Sequence, residues 1–231
     1  MIIRRIRTIE NPPTTRISVR EKPANRVGLD QEAIETIWNS VLNYYRLGLQ
    51  PAMAMCVRVR GEVVLDRAVG HSRGNAPDDS KDSPLIEATP ETPFNLFSAS
   101  KPVTAMVVHG CIERGLFRLD DPVSRYLPEF DQVDKRDITI RHVLSHRAGL
   151  ENLPGAIDLD RLSDHKRIRQ LFAETPMASQ SGVNSAYHAI TGGYILWELV
   201  REVTGQCLRD LQHEWVCKPL GFKHMNYGLE T

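Results

Sequence analysis

In the stretch from residue 94 to residue 119, Pro102 stands just ahead of Val103, Met106, Val107, Gly110 and Cys111, which recur at helical spacing. A proline ring without an N–H is tolerated only in the first turn of a helix. The helix is therefore expected to begin at about Ser98, to bury that apolar face and to stop at Gly115. Ser98 and Lys101 are three apart, which puts them one turn over the other on a common face. A serine in a first turn has its backbone N–H among the unpaired donors at the positive end of the helix dipole, which is half of an oxyanion hole. Taken alone, Ser-x-x-Lys also fits a plain cap beside a solvated charge.

On either side of this stretch the pattern changes several times. Residues 1–28 hold Pro12, Pro13, Pro23 and scattered basic charges without periodicity and read as an extended or partly disordered basic arm. From residue 29 the domain proper is expected. Asp30 can cap a helix with an apolar stripe of Ile34, Ile37, Trp38, Val41, Leu42 and Tyr45, ending near Gly48. Residues 52–60 and 62–69 are β-rich runs around Gly61, a hairpin signal. A polar loop over 70–93 is long enough to shape a pocket. Residues 119–130 suggest short helical turns broken by prolines. Thr139 is expected to cap a helix with Ile140, Val143 and Leu144 that stops at Gly149. Further helices are expected at 166–174, from Gly192 to Gly205 with Ile195, Leu196, Leu199 and Val203 inward, and at 207–216. A Pro, Ser and Gly loop over 175–186 leads to Tyr187.

With 29 basic and 29 acidic residues among 231, the chain has no net charge, which argues against nucleic acid or an anionic membrane as its main partner. No apolar run has the length of a membrane span, and the start lacks the apolar centre of a secretory signal, so a cytoplasmic location is expected. Cys56, Cys111, Cys207 and Cys217 form no C-x-x-C pair and are read as reduced core thiols. A Cys207–Cys217 disulfide is disfavoured if both lie on one helix, where ten residues span about 15 Å. His142 and His146, four apart, could share a metal from one helix face, but no third ligand accompanies them and a structural role is preferred. His109 is expected on the buried side of its helix, also as a structural residue.

Five ordered blocks then resemble the serine β-lactamase and penicillin-binding-protein superfamily, in particular its class C-like esterase branch. They are Phe97-Ser98-Ala99-Ser100-Lys101-Pro102, the run from Gly115 to Pro122, the run from Ile138 to Leu150, Tyr187-His188-Ala189, and Val203-Thr204-Gly205 with Pro219-Leu220-Gly221. The resemblance covers about residues 30 to 231. It implies an α+β fold of the β-lactamase/DD-peptidase kind, with an antiparallel sheet, flanking helices and a mostly α-helical region over about 98–217. It also implies a catalytic trio: Ser98 as the acylated nucleophile, Lys101 as its partner and Tyr187 as the tyrosine of the second motif. No cofactor and no metal are implied, and the substrate would be a small-molecule ester, lactone or amide. An amine and a phenol both titrate well above pH 7. Set side by side they titrate as a unit, so that the pair can take the serine proton and return it to the leaving group.

Some positions depart from the pattern. Ala189 stands where the second motif usually has the Asn that binds an amide substrate, which favours the esterase branch over a β-lactamase. Trp197 stands where relatives commonly carry a small residue. No Lys-Thr-Gly or His-x-Gly element follows Tyr187. The sheet is therefore expected to be incomplete in this chain, which reads as the N-terminal part of a longer product or a truncated relative. Two alternatives accompany the esterase reading: a non-catalytic relative that keeps the fold as a binding or regulatory surface, and a D-aminopeptidase or penicillin-binding-type peptidase.

Overall fold

The structure, a computed structural model, describes residues 5–10, 13–132, 134–152 and 164–228. Residues 1–4 and 11–12 of the expected arm and residues 229–231 at the end of the expected domain lie outside the described residues. The chain divides into two compact units, residues 1–94 and residues 95–231.

The first unit is built on an antiparallel sheet. Its long strand β3 (Glu62–Arg73) pairs with β1 (Thr15–Ile17) on one side and β2 (Ala52–Val59) on the other, and its end pairs with β4 (Ile86–Glu87). The hairpin between β2 and β3 turns through Arg60 and Gly61, with φ of 50° and 85°. Two consecutive positive φ angles are what a two-residue type I′ turn requires, so Gly61 carries the turn as expected. β3 runs on past Val69 into the segment read as loop, because it is central: Val69 faces both Thr15 and Met53, and His71 meets Glu87. A strand covered on both sides buries its charges as well. Arg67 donates to Glu21 at 2.6 Å and to Glu35 at 2.7 Å, and Arg20 donates to Asp66 at 2.8 Å.

Helix α1 (Gln31–Tyr45) begins as expected at Asp30, whose side chain accepts from the Glu32 N–H at 3.0 Å. Its residues Ile34, Trp38 and Tyr45 pack with Val64, Leu65 and Val69, while Ile37 lies at the edge of the stripe and is exposed. Much of the segment read as an arm is integral to this unit. β1 lies within it, Ala24 and Val27 are buried, and Arg7 donates to the carbonyls of Gly74, Ser80, Lys81 and Ser83, tying down the loop that follows β3.

The second unit is helical: α2 (Lys101–Glu113), α3 (Ile140–Leu144), α4 (His165–Glu174), α5 (Thr191–Thr204), α6 (Leu208–Gln212) and α7 (Lys218–Leu220). Tight turns at Val123–Arg125 and Pro128–Phe130 fill the proline-broken stretch as expected. Val107, Val108, Cys111, Ile195, Leu199 and Leu211 meet in one core. Burying a leucine completely, as at Leu199, contributes about 2 kcal/mol.

Several expectations need correction. The buried face of α2 is Thr104, Val107, Val108 and Cys111, rotated from the expected stripe. Met106 and His109 are exposed instead and line a surface groove with Trp215. Gly110 belongs to that groove because a Cβ there would come within 2.8 Å of the Trp215 ring. α3 ends at Leu144, well before Gly149, because the carbonyls that follow it, on His146, Arg147 and Gly149, accept from the loop described below. The single helix expected over 207–216 is broken into α6, a wide turn at His213–Cys217 and α7. Pro219 cannot donate to a regular ladder there, and the wider turn sets Trp215 against α2, with the Arg114 guanidinium 3.9 Å from its ring centre. All four cysteines are free, but only Cys111 and Cys217 are buried; Cys56 lies exposed on β2, which is no core position. Burial pushes the Cys111 thiol up to about 11. Among the described residues, no helix is long and apolar enough to cross a membrane.

Candidate active site

Ser98 lies in a tight turn, Phe97–Ser100, and the α-helix proper starts only at Lys101. This moves the expected helix start by one turn. In a turn of three residues per revolution, positions i and i+3 eclipse one another. The Lys101 Nζ accordingly donates to the Ser98 Oγ at 3.2 Å. Phe97 is held at a φ of 44° and its side chain is exposed. A left-handed backbone at a residue other than glycine costs about 1–3 kcal/mol. The turn is braced by the Phe97 N–H donating to the Asn95 Oδ1 at 3.1 Å and the Ser100 hydroxyl donating to the Phe97 carbonyl at 2.7 Å.

Tyr187 reaches the same place from a loop. The Thr139 hydroxyl accepts from the His142 N–H at 3.2 Å, and His142 Nδ1 accepts from the Thr139 N–H at 3.3 Å, which closes a capping box at the start of α3. His142 is thus committed to a cap, in keeping with a structural role. Beyond α3 the main chain at 146–149 forms a ladder with the loop at 178–186. His146, Arg147 and Gly149 carbonyls accept from the amides of Ala186 (3.0 Å), Gly182 (2.8 Å) and Ala178 (2.9 Å). Gly149 has a φ of 74°, and a Cβ on it would fall 2.1 Å from the Ser179 carbonyl oxygen. Only glycine permits that approach. Next to Tyr187, the His188 ring is fully buried; its Nε2 accepts from the Leu150 N–H at 3.0 Å and its Nδ1 lies 2.6 Å from the Ala186 carbonyl. An Nε2 that accepts and an Nδ1 that donates satisfy both partners.

The three residues expected to act together are therefore adjacent. The Lys101 Nζ is 5.0 Å from the centre of the Tyr187 ring. Hydrogen bonding to Ser98, then to Lys101, and the Lys101 charge hold the Tyr187 phenol below its ordinary range. Ser98 and Tyr187 are both exposed. An amine, a phenol and a hydroxyl so placed can pass a proton among themselves while the serine oxygen attacks a carbonyl. Ala189, two residues after Tyr187, is exposed and carries no side-chain amide. Among the described residues no group of three or more His, Cys, Asp or Glu could hold a metal ion.

Sequence reasoning gave His146 a structural role without its partners and passed over the strained Phe97 and His188; the two histidines hold the loop around Tyr187. The Tyr187-His188 pair gave a signal, since a histidine beside an exposed tyrosine on a loop can anchor it, but its partners at Ala186 and Leu150 show only in the fold. Trp197, whose volume had no place in the pattern, packs against the helical core with its ring 6.4 Å from that of His165.

The family model described as Beta-lactamase matches residues 44–231. The chain is 34% identical over 177 residues to the esterase/beta-lactamase LipL of Mycobacterium tuberculosis, covering 76% of this chain and 38% of that protein. It is 30% identical over 212 residues to esterase EstB of Burkholderia gladioli, covering 84% of this chain and 50% of that protein. The chain thus spans half or less of the length of these two relatives. Among solved structures, a family VIII carboxylesterase superposes with a TM-score of 0.67 at 25% identity, covering 81% of this chain and 49% of that one. The fold is accordingly that of the β-lactamase/DD-peptidase group, an antiparallel sheet with helices.

Proposed function

The chain belongs to the β-lactamase family, and from that premise we propose that it acts as a serine hydrolase on carboxylic esters or lactones through an acyl-Ser98 intermediate. Ser98 Oγ attacks the carbonyl carbon as its proton passes to the Lys101/Tyr187 pair. The tetrahedral oxyanion forms near the Ser98 backbone N–H, at the end of the helical stretch where the dipole favours negative charge. The carbon–oxygen bond to the leaving group then breaks and the pair returns the proton to the departing alkoxide. Water attacks the acyl carbon and gives a proton to the same pair; the bond from that carbon to Ser98 Oγ breaks, the pair hands the proton to Ser98 Oγ, and the acid leaves.

The observation that carries this reading is the 3.2 Å contact from Lys101 Nζ to Ser98 Oγ beside a phenol held below its usual range. The esterases among the relatives support an ester substrate, and so does Ala189 in place of an amide-binding side chain. The test is turnover of p-nitrophenyl butyrate by the wild-type chain and by Ser98→Ala. Release of p-nitrophenol that disappears in the variant is expected. Equal rates in the two would remove the hydrolase reading in favour of a non-catalytic one, and acylation of Ser98 by penicillin without ester turnover would replace it with the peptidase reading.

A further inference from the structure

His146 stands at the junction between the helix that carries Lys101 and the loop that carries Tyr187, and the proposed proton transfers make no use of it. Its backbone is left-handed, with a φ of 58°. Its Nδ1 accepts from the His188 main-chain N–H at 3.3 Å, and its carbonyl accepts from the Ala186 N–H at 3.0 Å. The two bonds bracket Tyr187, one on the residue before it and one on the residue after. The His146 ring also meets the Tyr187 ring edge-on, with centres 5.0 Å apart, and stacks with His188 at 5.9 Å.

We infer that His146 is a positioning residue for Tyr187: its neutral ring, with Nδ1 as acceptor, clamps residues 186–188, and a proton on Nδ1 releases the clamp. The chemistry is directional. An unprotonated Nδ1 receives the His188 N–H, whereas a protonated one opposes a donor to a donor. Protonation also adds a positive charge beside the Lys101 ammonium. The groups that face the ring are Lys101 from α2 and Tyr187 and His188 from the loop. On its own segment, His142 is held in the Thr139 cap and Arg147 donates to the Gly182 carbonyl. Burial, then His188 and Lys101, push His146 below the ordinary histidine range, so the neutral form prevails at neutral pH and the release comes in acid.

This inference deepens the hydrolase reading, on which it rests for the role of Tyr187, yet its test reads Tyr187 directly. The Tyr187 ring carbon bearing the hydroxyl is followed by ¹³C NMR against pH, and assigned with Tyr187→Phe, in the wild type, His146→Leu and His146→Asn. An Asn Oδ1 can occupy the place of Nδ1, does not titrate, and tolerates a left-handed backbone. In His146→Leu the Tyr187 titration is expected to rise to the ordinary phenol range. In His146→Asn it should stay lowered, and the acid-side change in the Tyr187 signal seen in the wild type should vanish. A wild-type titration retained in His146→Leu overturns the inference, and so does an acid-side change that persists in His146→Asn. The Asn variant alone decides the matter if the Leu variant does not fold. A Ser98 that never acylates would sink the hydrolase reading and leave this measurement standing.

Discussion

Gly149→Ala probes the ladder that carries Tyr187, and its cost can be worked from two parts. The first is backbone strain: at a φ of 74° an alanine pays the left-handed penalty, about 1–2 kcal/mol. The second is collision. The new Cβ would lie 2.1 Å from the Ser179 carbonyl oxygen and 2.9 Å from Met177 Cε. Ordinary contacts lie at about 3.5 Å, so something must move by more than about 1 Å. The methionine can rotate away, but the carbonyl belongs to the main chain. Overpacking costs about 1–3 kcal/mol, and a rigid wall places this site toward the upper end, for a total of about 3–4 kcal/mol. Gly115→Ala isolates the first part, since Gly115 has a φ of 71° with nothing within 4 Å of a Cβ; its loss should be about 1 kcal/mol. In urea unfolding with an m-value of about 2 kcal/mol/M, the Gly149 variant should lower the midpoint by about 1.5–2 M and the Gly115 variant by about 0.5 M. Because the collision falls between the Gly149 and Ala178 ladder bond and the loop leading to Tyr187, labelling of Ser98 should also slow in the Gly149 variant and stay unchanged in the other. Equal midpoints for the two variants would refute the assigned role of the Ser179 carbonyl.

Three other outcomes follow from the structure. Lys101→Met removes the donor 3.2 Å from Ser98 Oγ and should lower p-nitrophenyl ester turnover by about a hundredfold or more, measured as kcat/KM. Leu199→Ala empties a fully buried site in the helical core and should cost about 2–5 kcal/mol in chemical denaturation. Hydrogen bonds from Arg67 hold the Glu35 carboxyl at about 2 against an ordinary 4.5. The folded state then binds fewer protons than the unfolded one in that window, so this pair's contribution is fully present above pH 4.5 and is lost as pH falls towards 2. Urea midpoints taken between pH 2.5 and 5 should therefore fall more steeply with acid in the wild type than in Arg67→Met.

Local signals were legible wherever the partner lay close along the chain. Asp30 caps α1 through the Glu32 amide, Thr139 caps α3 through His142, and Arg60-Gly61 closes the hairpin; each is settled within a few residues. The Ser-x-x-Lys spacing likewise pointed to two of the three proposed site residues, and the family's second motif supplied the third. What stayed hidden depends on distant partners. β1 has three residues and no pattern of its own, since its pairing with residues 67–69 of β3 defines it. The orientation of α2 is not legible because Met106 and Val108 are equally apolar, and only the packing of Trp215 against Gly110 determines which side faces out. The break at His213–Cys217 has the same origin. The frame that His146 and His188 make around Tyr187 is only faintly marked, by the adjacency of Tyr187 and His188, because their bonds run to the main chain, which every residue shares.

The central claim, that Ser98 is the reactive hydroxyl, is tested most directly by treating the chain with a fluorophosphonate and mapping the adduct by peptide mass. The account predicts a single adduct on Ser98, absent from Ser98→Ala. An adduct on the neighbouring Ser100, or none on either serine, would contradict it.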